Sequence, residues 1–126
     1  MKKAKGQSLI EVVVAIGIVV IVIVALVAVT TVSVRNASFS RNQALATKYA
    51  QEAIEKIRDY RARVAWDIFT NNCQNPPDLP SIPSSFSRTI SCSGSGDSRE
   101  IKVTVSWTDF KGTHKSELTT RLTKWE

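Results

Sequence analysis

The stretch from Gly6 to Val34, GQSLIEVVVAIGIVVIVIVALVAVTTVSV, restricts what this chain can fold into more than any other feature. Every residue from Val12 to Val29 is apolar or glycine, 18 in succession, and only small or hydroxyl-bearing residues are added on the way to Val34. As a helix rising about 1.5 Å per residue, Val12 to Val34 extends roughly 35 Å, enough for a hydrocarbon core of about 30 Å. In water such a Val- and Ile-rich run favours strand. In lipid every backbone N–H and C=O of a lone span must be satisfied within the segment, so it is helical. The expectation is a membrane helix.

Glu11 is the one ionisable group in this segment. A carboxylate at the middle of a membrane helix costs about 2.5–3.5 kcal/mol on insertion scales, and less near an interface. One reading is that Glu11 snorkels to the headgroups from its place near the N-terminal end. The other is that it takes a cationic partner within the membrane. The residues around it bear on that choice. Lys3-Ala4-Lys5-Gly6-Gln7-Ser8-Leu9-Ile10-Glu11, followed by the long apolar run, resembles the N-terminus of type IV prepilins and pseudopilins. The resemblance implies cleavage by a prepilin peptidase between Gly6 and Gln7 and N-methylation of the new amine at Gln7. It also implies an assembly role for Glu11, which is fifth from Gln7 and would meet the terminal amine of a neighbouring subunit. Gln7 stands where Phe or Met is commoner and no proline interrupts the span, which points away from a major subunit and toward a minor pilin or minor pseudopilin. Physically, an amine and a carboxylate in low dielectric attract strongly while desolvation offsets most of the gain. Such a pair adds little net stability, but it penalises wrong registers by stranding a charge.

Lys2, Lys3 and Lys5 precede the span, against the sparser Arg35 and Arg41 after it. This bias favours a cytoplasmic N-terminus and an outer C-terminal domain, a single-pass arrangement in the cytoplasmic membrane. Loss of the three leader lysines lowers the formal charge from +6 to +3, so the basic balance is partly a property of the leader. The other basic residues are interspersed with acids, and nucleic acid is not supported as a partner. A secretory signal peptide is the rival reading of the N-terminus. This apolar segment is longer than a usual signal core, carries Glu11 near its start and lacks a small-x-small exit.

Helical patterning resumes beyond the span. Ala46, Tyr49, Ala50, Ala53, Ile54, Ile57, Tyr60, Val64 and Ile68 share one face at 3.6 residues per turn, with Lys48, Gln51, Glu52, Glu55, Arg58 and Asp59 opposite. Glu52 with Lys56, and Asp59 with Arg63, are i,i+4 pairs in the favourable order. No Gly or Pro occurs between Gly17 and Pro76, so one nearly continuous helix is expected from about Ser8 to Phe69, weakest across Asn36–Asn42. Asn71 to Pro77, with Pro80 and Pro83, ends it and keeps the chain irregular. Ile101, Val103, Val105 and Trp107 alternate with polar residues as a half-buried strand. Thr108 to His114 then supplies a turn, Ser116 to Leu122 alternates again, and Phe86 to Cys92 is a third strand candidate.

The fold class expected is α+β: a long N-terminal helix packed against a small antiparallel sheet of about three strands. Its parts are a leader at 1–6, a membrane and assembly helix at 7–34, and a soluble domain at 35–126. Within that domain the amphipathic helix runs to about residue 69, a loop covers 70–85 and the sheet 86–125.

Cys73 and Cys92 both fall in the turn-rich outer region, where one bridge is expected over two free thiols. Two cysteines and one histidine do not suggest a metal site, and no cofactor is implied. The glycines of Ser93 to Ser98 are not followed by the Lys-Ser/Thr of a phosphate loop. Asp97, Glu100 and Asp109 match no compact calcium loop. His114, alone in the expected turn, reads as a solvated side chain, and no spacing suits acid–base or nucleophilic chemistry. The chain reads as a substrate of enzymes rather than an enzyme. Two functions remain: a minor pilin or pseudopilin entering or priming a type IV-like filament, or a membrane-anchored binding or sensor module that does not polymerise. The first implies a prepilin peptidase, other pilin or pseudopilin subunits, an inner-membrane assembly platform and membrane lipid as partners. It also implies a later location in a cell-surface or periplasmic filament. The second leaves Gly6 to Glu11 without a purpose.

Overall fold

A computed structural model describes residues 2–124, with side chains from residue 6. The side chains of the leader lysines Lys2, Lys3 and Lys5, and the expected end of the sheet at residue 125, lie outside the described residues. The element order is α1 (Lys2–Arg63), α2 (Trp66–Asn72), β1 (Phe86–Ser93), β2 (Ser98–Asp109) and β3 (Gly112–Thr123). The expected class, a long helix and a small antiparallel sheet of three strands, is the one observed. Asn36–Asn42, the expected weak point, is helical throughout. The chain divides there into two units, one ending at Phe39 and the other beginning at Ser40.

The first unit is a helix without a core. Its Val, Ile and Leu side chains from Leu9 to Val34 are all exposed, the state of a helix that needs lipid or protein around it. Two hydroxyls within it are already satisfied: Thr30 Oγ1 donates to the Leu26 carbonyl at 2.8 Å and Thr31 Oγ1 to Val27 at 2.9 Å. Such back-bonding makes threonine tolerable in an apolar medium.

The second unit has a core. Ala46, Ala50, Ala53, Ile54, Ile57 and Tyr60 of α1 are buried against Ile101, Val103, Val105 and Trp107 of β2 and Phe69 of α2. The helical residues recur every three or four positions, so one stripe of α1 faces the sheet. The sheet order β1-β2-β3 is antiparallel throughout and puts β2 in the middle. This is why the alternating residues of β2 are fully buried, while Phe86, Ile90, Leu118 and Leu122 on the flanking strands are only partly so. Polar ties run along α1 and β3: Thr47 Oγ1 to Ser116 Oγ at 2.9 Å, Arg58 to Thr120 Oγ1 at 3.1 Å, and Arg61 to the Thr123 carbonyl at 2.8 and 3.1 Å.

Three expectations need correction. The single helix to Phe69 is broken at Val64–Ala65, where Ala65 is extended (φ −64°, ψ 153°) and α2 begins at Trp66. The restart rotates the helical face, so Ile68 is half exposed and Phe69 takes the core position instead. Trp66 holds the new start in place, its indole N–H donating to the Gly96 carbonyl at 3.2 Å and its ring lying 5.0 Å from the Arg61 guanidinium. Second, Glu52 is paired with Lys48 at 4.0 Å in place of Lys56, whereas Asp59 and Arg63 meet as expected at 3.2 Å. Third, the turn expected over Thr108–His114 is only Phe110–Lys111, since Asp109 already faces Gly112 across the hairpin.

Candidate functional site

The residues singled out for processing and assembly sit in the first turns of α1. Gly6, Gln7 and Glu11 are all helical and exposed. Gln7 and Glu11 are four apart, hence neighbours on one helical face about one turn from each other. A Cβ built on Gly6 would meet nothing within 4 Å. Folding therefore places no demand for glycine at this position. A requirement for glycine has to come from outside the chain, as it does where an enzyme must approach a backbone closely. Glu11 makes no ion pair with another described residue, and it interrupts a surface that is otherwise apolar from Leu9 to Val29. A carboxylate so placed is a ready partner for a cation brought to it from another molecule.

The two cysteines, in different elements of the second unit, come together in space. Cys73, at the C-terminal cap of α2, is bridged to Cys92 in β1, 19 positions later in the sequence, with Cα atoms 6.0 Å apart. The bridge ties the irregular Pro-rich segment to the sheet. The same segment is strapped by Arg88, which sequence reasoning missed: its Nη2 donates to the Pro80 carbonyl at 2.6 Å. Desolvation lowers the Arg88 pKa from its ordinary value, and the nearby Glu52 carboxylate opposes that shift. Arg88 occupies an inward position of β1, between Phe86 and Ile90, where alternation alone would suggest an apolar residue.

His114 is not a solvated turn side chain. It lies in β3 opposite Trp107, with ring centroids 5.5 Å apart, and its Nε2 is 3.0 Å from Asp109 Oδ2. The other Asp109 oxygen accepts the Lys111 N–H at 2.8 Å. Desolvation pushes the Asp109 carboxyl up, but the hydrogen bonds from Lys111, His114 and Gly112 together hold it below its ordinary value. Of the three acids, Asp109 meets His114 and Glu100 pairs with Arg121 at 3.5 Å, while the backbone carbonyl of Asp97 accepts the Lys124 N–H at 2.7 Å.

Residues 1–30 match the family model described as the prokaryotic N-terminal methylation motif. No curated protein and no solved structure matches the chain significantly. The first 30 residues thus carry the type IV prepilin-like signal, and with the long apolar N-terminal helix the chain fits a type IV pilin-like protein.

Proposed function

We propose that this chain is a minor pilin or pseudopilin, a membrane-anchored structural subunit that enters or primes a type IV-like filament and performs no catalysis. The observation that carries the reading is the methylation motif at residues 1–30, with Gly6-Gln7 directly ahead of Glu11 in an apolar helix. In this reading a prepilin peptidase cuts after Gly6 and methylates Gln7. The leader lysines set a cytoplasmic N-terminus before cleavage, and the second unit lies outside, where a Cys73–Cys92 bridge persists. Glu11 then pairs with the Gln7 amine of a neighbouring subunit as the chain leaves the inner-membrane assembly platform. The pair acts on register more than on stability, because an unpaired charge in lipid is the expensive state.

Two measurements test this. Intact mass of protein co-produced with a prepilin peptidase should show a chain beginning at Gln7 and carrying one added methyl group. A chain still beginning at Met1 would refute processing. Glu11→Val and Glu11→Gln should insert and be cleaved normally, yet fail to co-purify with other filament subunits. Normal incorporation of both variants would leave Glu11 as a snorkelling side chain and favour the non-polymerising binding module.

A further inference from the structure

In the order β1-β2-β3, β1 is an edge of the sheet, and one side of its backbone has no neighbouring strand. It pairs with β2 from Phe86 to Ser93 without a bulge. Among the described residues, the one backbone hydrogen bond it makes outside the sheet runs from the Phe86 N–H to the Pro83 carbonyl at 3.0 Å. Strand edges are ordinarily blunted by charged side chains, proline or a bulge. The opposite edge follows that rule, with Lys115, Glu117 and Arg121 exposed along β3. The solvent face of β1 carries only the short hydroxyl side chains of Ser87, Thr89, Ser91 and Ser93.

A trough lies beside this edge. Between the Pro-rich segment and β1 is a cavity of about 480 Å³, walled by Leu79 and Ile82 of that segment and by Phe86, Arg88 and Ile90 on the inward side of the strand. Thr89, on the other face of β1, lines it as well. Since β2 closes one side of the strand, a cavity that touches both faces reaches round the free side.

The one charge that β1 carries points inward. Arg88 Nη2 donates to the Pro80 carbonyl at 2.6 Å, while Nη1 is enclosed and has no acceptor among the described residues. An enclosed donor without an acceptor costs free energy. Burial disfavours the cation, and the carboxylate that opposes this, Glu52, pairs with Lys48 at 4.0 Å. An inward cation on an edge turns away most arriving strands. A second β1 is among those rejected, because it would bring another arginine to the same face of the sheet. A strand bringing the opposite charge is admitted.

We propose that the free edge of β1 receives an extended segment of another protein, which adds a fourth strand to the sheet and sets an Asp or Glu carboxylate against Arg88. Main-chain hydrogen bonds supply the attachment, and alternate side chains entering the trough supply the selection. Residues directly opposite on neighbouring strands have Cβ atoms about 4.5–5.5 Å apart. A carboxylate at that position is within reach of the guanidinium, whose planar fork donates two parallel bonds to such a group. The contact involves the second unit alone.

The test uses the full chain in detergent and three fluorescent peptides of alternating valine and threonine. One has a glutamate at a central valine position, the second a lysine there, and the third the glutamate with every amide N-methylated. By fluorescence anisotropy the glutamate peptide should bind about tenfold or more tightly than the lysine peptide, as a like-charge contact is costly. The N-methylated peptide should not bind. Amide hydrogen exchange should slow in β1 and stay unchanged in β3. Arg88→Met should remove the preference for glutamate over lysine, with near-ultraviolet circular dichroism checking its fold. The peptide comparisons on the unsubstituted chain decide the matter even where that variant fails to fold. Equal affinity for the glutamate and lysine peptides, binding that survives N-methylation, slowing in β3 instead of β1, or no binding overturns the proposal. So does slowing in β1 that grows with protein concentration alone, which would assign the edge to a second copy.

Discussion

At Asp109 both carboxylate oxygens are engaged, one by the Lys111 N–H and one by His114, at the root of a two-residue turn. The hairpin needs a positive φ immediately afterwards, and Gly112 supplies it at 123°. Desolvation acts against the charged form of Asp109, but the bonds from Lys111, His114 and Gly112 outweigh it and hold the pKa below the ordinary carboxyl value. Because the folded pKa is the lower one, the carboxylate's contribution is complete above the unfolded value of about 3.9. It is lost as pH falls through the folded value. Asp109→Asn keeps an oxygen for the Lys111 N–H and removes the charge. The variant should be less stable than the parent at neutral pH, and the difference should close in acid below the ordinary Asp range, followed as melting midpoint against pH. A constant difference down to the acid limit would mean the charge contributes nothing there.

Among the elements, the helix break at Val64–Ala65 separates what could be read in advance from what could not. The expected strands exist, because each alternates over one face of a sheet, and that periodicity is a local property of the residues themselves. The apolar span and the inward stripe from Ala46 to Tyr60 are likewise local signals. The break is different: it contains neither Gly nor Pro and arises from contacts made far away, the Trp66 indole with Gly96 and the Arg61 guanidinium with Trp66 and the Thr123 carbonyl. Gly94 belongs to the same loop, with φ of 116° and no room for a Cβ, which would lie 2.9 Å from the Ser98 carbonyl oxygen. Uninterrupted helical periodicity places Ile68 inside, whereas the restarted helix buries Phe69. In the candidate processing site, the positions of Gly6, Gln7 and Glu11 were legible as a motif, but Asp109 and His114 were not legible as a pair, since only the two-residue turn brings them together. Phe69→Ala should cost about 3–5 kcal/mol, the usual loss for a fully buried aromatic. Ile68→Ala should change stability by no more than about 0.5 kcal/mol, as for other surface positions. Urea unfolding of the two variants decides the register; a larger loss at Ile68 would restore the unbroken helix.

On the scale of the whole chain, every buried residue among those described lies beyond the first unit. The core begins at Ala46 and ends at Trp107, and the ties from α1 to β3 begin at Thr47. Among the described residues the helix up to Phe39 contributes none to this core, and the second unit has a core of its own. A small unit of this kind depends on staples as well as on its core. The Cys73–Cys92 bridge closes the one long irregular connection, from the end of α2 to β1. In the chain-entropy model a loop of this size contributes about 3 kcal/mol. A fragment beginning at Ser40 should therefore be water-soluble and unfold in one cooperative transition when oxidised. Reduction, or Cys73→Ser with Cys92→Ser, should lower its stability by about 3 kcal/mol, read from urea unfolding followed by near-ultraviolet circular dichroism. The oxidised fragment carries the decisive outcome. If it lacks fixed aromatic signals and a cooperative transition, residues before Ser40 contribute to folding after all, and the separation into a lipid-dependent helix and a self-sufficient outer unit fails.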